Sequence, residues 1–484
     1  MPSSRLYVLA LLALILGQLD VSADPTKDKD KPSGPVSYYR DVRRVLQQNC
    51  QGCHQPAKPQ GGYVMTTFAA LLKPGDSGKA PIVPGKPEQS ELIAQIVPGV
   101  NGRALMPKNR DALSAADVDL VKRWISEGAK DDTPQSVQDT IDEKNPPVYV
   151  KPPIITALDV SPDGKLLAVA GYHEVLLHQA DGSGLVGRLI GLSERIQSLA
   201  FSPDGTTLAA VGGSPGRFGE VQLWDVARKK LRLSIPLTFD TLYGVSWSPD
   251  GKKLAFGCAD NTLRAIDADT GKQILFQGAH SDWVLGTTFS QDGEYLVSVS
   301  RDMSMKLTVV ATQRFVDNIT SITPGQLKGG LQTVVLRPQL KQTKVTNVEG
   351  QQRIYDEVLI GGSDGVPHLY KIHRVKQRTI GDNDNKVRDY PAMPGRIFSV
   401  SVAKDGTRFA AGSSLDGQGE VRVYNTDTGA ILSKLDQVPS IYAVRFYPDG
   451  KLVASAGFDG IVRLSDAGTG KVVKQFVAVP LSNK

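Results

Sequence analysis

Two periodicities divide the chain. Between Ser37 and Asn49, apolar residues fall at Tyr39, Val42, Val45 and Leu46, the spacing of one helix face. The spacing returns at Val118, Val121 and Ile125, with Trp124 beside them. Ser114 and Asp117 form a capping box with Asp in place of Glu, and Gly128 is suited to a left-handed C-terminal cap. Between these helices Gly61-Gly62, Pro74-Gly75, Pro81, Pro84-Gly85 and Pro87 break the pattern, leaving room for short helices over 67–72 and 89–96. From residue 154 the period drops to two. Apolar strands such as Ile196–Phe201 alternate with turns and with small-residue strands such as Leu208–Gly212.

The turns repeat. Ser161-Pro162-Asp163-Gly164 returns at 202–205 and 248–251, as Ser290-Gln291-Asp292-Gly293, as Lys404-Asp405-Gly406, and as Tyr447-Pro448-Asp449-Gly450. The glycines lie 41, 46 and 42 residues apart over the first four turns and 44 apart over the last two. Units of about 40–45 residues with four strands each are the signature of propeller blades. First strands near residues 154, 196, 243, 284, 332, 397 and 441 predict seven blades. The 113 residues from Gly293 to Gly406 exceed one blade, so one unit is degenerate, built from 331–336 and 357–371 around an insertion over 339–356. The expected fold is multidomain: a small all-α domain over 37–130, a Pro-rich linker over 131–153, and an all-β seven-bladed propeller over 154–480.

The N-terminus adds a compartment. Arg5, the apolar run Leu6–Leu16 and Val21-Ser22-Ala23 read as a signal peptide over 1–23, cleaved after Ala23 and followed by a flexible leader over 24–36. The run is too short to span a membrane and none recurs, so the protein is expected to be exported, periplasmic and without a membrane span. The net charge of +6 and the lack of basic clusters interleaved with aromatics argue against nucleic acid. Residues 24–130 hold 16 Lys/Arg against 11 Asp/Glu, which either steers an acidic redox partner or is solvated surface.

Chemistry concentrates at Cys50-Gln51-Gly52-Cys53-His54. Two thiols at this spacing can each form a thioether to one porphyrin, and the adjoining His54 then supplies an iron nitrogen: a c-type haem site. A zinc site would need two more ligands, and the third cysteine, Cys258, is remote. A redox dithiol or a Cys50–Cys53 disulfide leaves His54 unexplained. Of six histidines only His54 precedes residue 173, so a second histidine from this domain is excluded. Met106, in the loop before the last helix, is favoured as distal iron ligand over Met65, which is only 11 residues from His54; an open sixth position is the third option.

Residues 37–130 resemble the planctomycete-type cytochrome c family. The resemblance rests on Cys50–His54, Pro84-Gly-Lys-Pro-Glu-Gln-Ser90-Glu-Leu-Ile, Leu105-Met-Pro107, and Leu113-Ser-Ala-Ala-Asp117 leading to Arg123-Trp-Ile and Glu127-Gly-Ala129. It implies a small all-α cytochrome c domain with one covalent haem c on Cys50 and Cys53, His54 as proximal ligand and Met106 as distal ligand. Lys108 departs from the family's second proline, away from any ligand. The last two-thirds of the chain resembles the WD-repeat family, with Trp224-Asp225 as the namesake dipeptide, worn elsewhere to Ile266-Asp267, Tyr424-Asn425 and Leu464-Ser465.

The expected function is electron transfer with an unidentified redox partner protein, the propeller making protein–protein contacts. Two alternatives stand beside it: an oxidoreductase with a second cofactor in the propeller, as in haem-d nitrite reductases, and a haem-based redox or gas sensor. His173, His178, His280, His368 and His373 are read as strand or turn residues, and Asp260, Asp302, Asp364 and Asp459 as structural turn residues. No catalytic residue is expected.

Overall fold

In the computed structural model, residues 34–482 are described, except 56–57, 100–101, 109, 135–140, 324, 326 and 340–342. The expected signal peptide over 1–23 and the expected leader up to residue 33 lie outside the described residues.

The first helix opens with a wide turn. Ser37 accepts from Arg40 N–H, and Tyr38–Val42 winds as a π-helical turn before α1, Arg43–Asn49. The wider winding places Tyr38 over Val42 and swings Tyr39 off the core. Tyr38 is therefore the buried residue where the simple helical spacing points to Tyr39. Its ring packs on Phe68 at 5.0 Å and Trp124 at 5.5 Å. Short helices α2, Phe68–Leu71, and α3, Glu91–Ile96, follow, with Thr67 capping α2. The closing helix α4, Ala115–Ser126, starts where Ser114 Oγ accepts from Asp117 N–H and buries Val118, Val121, Trp124 and Ile125. It ends in a Schellman motif: Gly128 has φ +100°, its N–H donates to Ile125, and Ala129 N–H donates to Trp124. A two-residue ladder, His54–Gln55 against Lys58–Pro59, is the strand content of this otherwise helical region.

The rest of the described chain is antiparallel sheet. Seven strands from Leu158–Val160 to Lys230–Thr238 pair in chain order. The fourth, Leu185–Phe201, serves two four-stranded units: residues 185–190 pair back to Tyr172–Gln179, and residues 195–201 pair forward to Thr207–Ser214. Five four-stranded sheets follow, with first strands Leu242–Trp247, Val284–Phe289, Leu331–Arg337, Arg396–Val402 and Ile441–Phe446. The degenerate unit takes Leu331–Arg337, Glu357–Gly362 and His368–Lys371 from the expected segments, with a hairpin of Lys344–Thr346 and Gln352–Ile354 inserted, and its outer strand, Lys386–Asp389, lies beyond them. Each first strand packs beside the next, and Ile441–Phe446 packs beside Leu158–Val160, which completes a cycle. The first strand begins at Leu158 rather than near 154. Pro152 and Pro153 have no N–H to offer a ladder, and Ile155 N–H donates instead to Gly457 of the last sheet.

The repeated turns explain the repeated tetrapeptide. Ser161, Ser202, Ser248 and Ser290 hydroxyls each donate to the Asp two residues on, at 2.5–2.6 Å. Gly164, Gly205, Gly251 and Gly293 have φ near +70°, a region glycine occupies without strain.

Candidate functional site

The cysteine motif is the continuation of α1. Cys50 and Gln51 N–H groups both donate to Leu46, and Cys53 and His54 N–H groups both donate to Cys50, so the chain coils tightly through the pentapeptide. The segment after it folds back: Met65 N–H donates to His54 at 2.8 Å, and the buried Gln51 amide donates to the Met65 carbonyl at 2.7 Å. This return brings the Tyr63 carbonyl within 3.3 Å of His54 Nδ1. An Nδ1–H donated there fixes the tautomer that carries a lone pair on Nε2, the form that binds a metal. Burial lowers the His54 pKa, against opposing backbone contacts from Tyr63 and Gln60, which favours that neutral ring. Burial pushes the Cys50 thiol up to about 12.

The motif also touches the sheet region. A Cβ on Gly52 would stand 2.3 Å from the Ser234 carbonyl oxygen and 2.9 Å from Pro236 Cδ, so glycine is required where the motif meets the strand Lys230–Thr238. Arg110 bridges the two, donating to Gln48 at 3.2 Å and Pro236 at 3.3 Å.

The methionines differ. Met65 is 1% exposed within the helical core. Met106 is half-buried, packed against that core, with its N–H on the Gln95 carbonyl and a cis bond to Pro107. Tyr63, Phe68, Leu113 and Leu120 are likewise half-covered at the rim. Gln48 Nε2 and Thr66 Oγ1 are buried without a partner in the protein. Two thiols, an oriented imidazole, a half-covered apolar rim carrying a thioether, and unmatched buried polar atoms fit a haem.

The five sheet-region histidines are engaged structurally. His280 bridges Asp302 at 2.9 Å and Ser298 at 2.8 Å, and His178 contacts the Ala478 carbonyl at 2.9 Å. His173 approaches the Gly191 carbonyl at 3.4 Å, and His373 packs edge-on against Tyr295. His368 lies between Asp389, 2.6 Å from Nδ1, and Asp364, 2.9 Å from Nε2. Burial alone would lower its pKa; the two carboxylates outweigh that and raise it. A raised folded-state pKa adds stability that is complete below the unfolded value of about 6.5 and is lost as pH rises through the folded value. The stability lost in His368→Asn should therefore be larger at about pH 5.5 than at about pH 8.5 in denaturant titrations; an equal loss at both would remove this charge pairing.

A cavity of about 580 Å³ lies among the seven first strands. Single-residue register shifts in those strands coincide with Gln197, Leu285, Gln332, Phe398 and Tyr442, all of which line it. Bulges re-aim side chains in this way. Arg445, paired with Asp159, stands on its wall, and none of the five histidines lines it. Among the described residues no cluster of His, Cys, Asp or Glu is arranged to hold a metal.

The architecture is thus a small helical domain carrying a Cys-x-x-Cys-His turn, docked on a domain of repeated four-stranded sheets. A family model described as Planctomycete cytochrome C matches residues 50–109, and one described as WD domain, G-beta repeat matches 236–267, 271–308 and 434–466. The chain joins a cytochrome c-like domain to a WD-repeat domain. It is similar to WD repeat-containing protein VIP3 of Arabidopsis thaliana, 30% identical over 28% of this chain and 46% of that protein. It is 29% identical to the WD repeat-containing protein 91 homolog of Dictyostelium discoideum over 22% of this chain and 14% of that protein. Eukaryotic translation initiation factor 3 subunit I of Aspergillus fumigatus is 26% identical over 56% of this chain and 79% of its own length. The chain thus spans less than half of the first two relatives. Among the described residues no helix is long and apolar enough to cross a membrane.

Proposed function

We propose that this is an exported, periplasmic one-electron carrier in which Cys50 and Cys53 hold a single covalent haem c and His54 is the proximal ligand. The observation that carries the reading is the His54 ring, following Cys53 directly in the tight turn and held with its Nδ1 on the Tyr63 carbonyl. When bound, the haem supplies Fe(II)/Fe(III) chemistry at a potential raised by thioether ligation. Met106 is the distal ligand: Met65 is already buried in the core, while Met106 stands half-covered at its rim. Phe68, Leu113 and Leu120, half-covered against the helical core, would shield a bound haem from water.

The cycle of first strands is read as a seven-bladed propeller, and the WD-repeat relatives support its use in protein–protein contacts. It presents the electron carrier to a redox partner protein. A second cofactor in the cavity would find no histidine on its walls, so electron transfer is preferred over the nitrite-reductase-like reading.

The purified exported chain should contain one iron per polypeptide and show a c-type pyridine haemochrome spectrum; absence of both sinks the reading. Met106→Ala should abolish the near-infrared charge-transfer band of the ferric, thioether-ligated haem, and Met65→Ala should keep it. The reverse pattern would exchange the two methionines' roles.

A further inference from the structure

One sequence position recurs in three strands with different surroundings. Glu174, Glu220 and Glu420 each precede a valine near the start of the third strand of a four-stranded unit. Glu174 is ion-paired with Arg188 at 2.6 Å. Glu420 is ion-paired with Arg422 at 2.6 Å and Lys434 at 3.2 Å. In the strand of Glu220, Gln222 stands where Arg422 stands, and Ser234 opposes it in the ladder as Lys434 opposes Arg422. Glu220 is 0% exposed and has neutral neighbours only: Ser193 donates to it at 2.6 Å, Gln222 at 2.8 Å, and Ser234 Oγ also donates. Trp224 in turn donates to Gln222. Burial raises the pKa of this carboxyl against those hydrogen bonds.

The unit that lacks the counter-charge is the one on which the haem motif rests. Ser234, whose hydroxyl holds the Glu220 carboxyl, presents its carbonyl to Gly52, between Cys50 and Cys53. Apart from the exposed Arg195, the charged groups on the strands around Glu220 are engaged elsewhere. Arg188 is on Glu174, Glu194 on Arg217, Asp225 on Arg228, Lys230 on Glu143, and Arg232 on Asp269. Arg110, from the helical region, is on two carbonyls. Arg195, in the neighbouring strand, and His54, on Tyr63, make no hydrogen bond or ion pair with Glu220.

We propose that Glu220 is a redox-linked proton site: it takes up one proton when an electron enters the centre held by Cys50, Cys53 and His54, and releases it when the electron leaves. The electron comes from a one-electron donor and the proton from solvent. The Glu220 carboxylate gains an O–H bond as iron passes from Fe(III) to Fe(II), so the net charge of the region is conserved. In a buried setting this coupling is favoured, because an added electron otherwise faces an uncompensated carboxylate. The inference rests on the haem reading above.

The test uses the full exported chain, its haem first established by spectrum and iron content, reduced chemically over about pH 5–9. The midpoint potential should fall as pH rises, approaching a tenfold change in the reduction equilibrium per pH unit, about 59 mV for one electron. Glu220→Gln, which keeps the shape and hydrogen bonding, should flatten that slope. Gln222→Arg should flatten it independently by supplying the cation that Arg422 gives Glu420. Redox-difference infrared spectra should show a protonated-carboxyl band that Glu220→Gln removes. A slope unchanged in both variants, or no such band, overturns the proposal while leaving the haem reading intact. A chain without haem overturns both.

Discussion

Replacing both Cys50 and Cys53 by serine should abolish covalent haem and, with it, the folded state of the helical region. On the haem reading the two thioethers are the attachment, so the loss on a haem-stained denaturing gel should be complete. The second effect follows from how little the region builds for itself. Its helices cover Arg43–Asn49, Phe68–Leu71, Glu91–Ile96 and Ala115–Ser126, and most of the intervening chain is turn and loop. Tyr63, Phe68, Met106, Leu113 and Leu120 remain half-covered. Limited proteolysis of the double variant should cut within residues 36–130 and spare the sheets. Retention of covalent haem would refute the attachment, and unchanged protection would show that the region folds without it.

The second large effect is expected at Arg188→Ala. Glu174 is 0% exposed at its side chain and is held by both Arg188 contacts, at 2.6 and 2.8 Å, and by the Tyr149 hydroxyl at 2.8 Å. Arg188 also donates to the Pro147 carbonyl at 2.7 Å. Removing one partner of a buried pair leaves a buried charge unmatched and costs about 3–5 kcal/mol. The same cut removes the hydrogen bond that ties the Pro147 carbonyl to the first sheet, while Tyr149 keeps its own bonds to Tyr172 and Glu174. Urea titration of Arg188→Ala should show this loss, and pairing it with Glu174→Gln should recover most of it. A loss below about 1 kcal/mol in the single variant would mean that the carboxylate is solvated.

Much of this was legible in the residues. The Pro-Asp-Gly spacing located the sheets because the turn that each tetrapeptide makes is local: Ser, Asp and Gly satisfy one another within six residues. Ser114, Asp117 and Gly128 marked α4 for the same reason. What escaped was non-local or cooperative. The π-helical turn is favoured by the packing of Tyr38 on Phe68 and Trp124, residues far along the chain, so helical spacing alone pointed to Tyr39. The role of Tyr63 is carried by a backbone carbonyl, which any residue could supply. The contact of Gly52 with Ser234 joins residues 182 apart, and only the glycine itself hinted at a close approach. Glu220 could have been found by laying 219–225 over 419–425, where the substitution of Gln222 for Arg422 is visible.

The Pro-rich linker also takes on a different meaning. Glu143 is paired with Lys230, Pro147 with Arg188, and Tyr149 with both Glu174 and the Leu481–Ser482 end of the chain. From Glu143 onward it is strapped down stepwise rather than spanning open space. Among the described residues the helical region is therefore held on the sheets by this strap, by its seat on Ser234 and Pro236, and by Arg217 on the Tyr39 hydroxyl. A mooring of this kind leaves no swinging arm. On the electron-carrier reading proposed above, the electron-carrying end keeps a fixed bearing, so a partner must come to it, and the rate of exchange is set by that encounter rather than by any search on a tether.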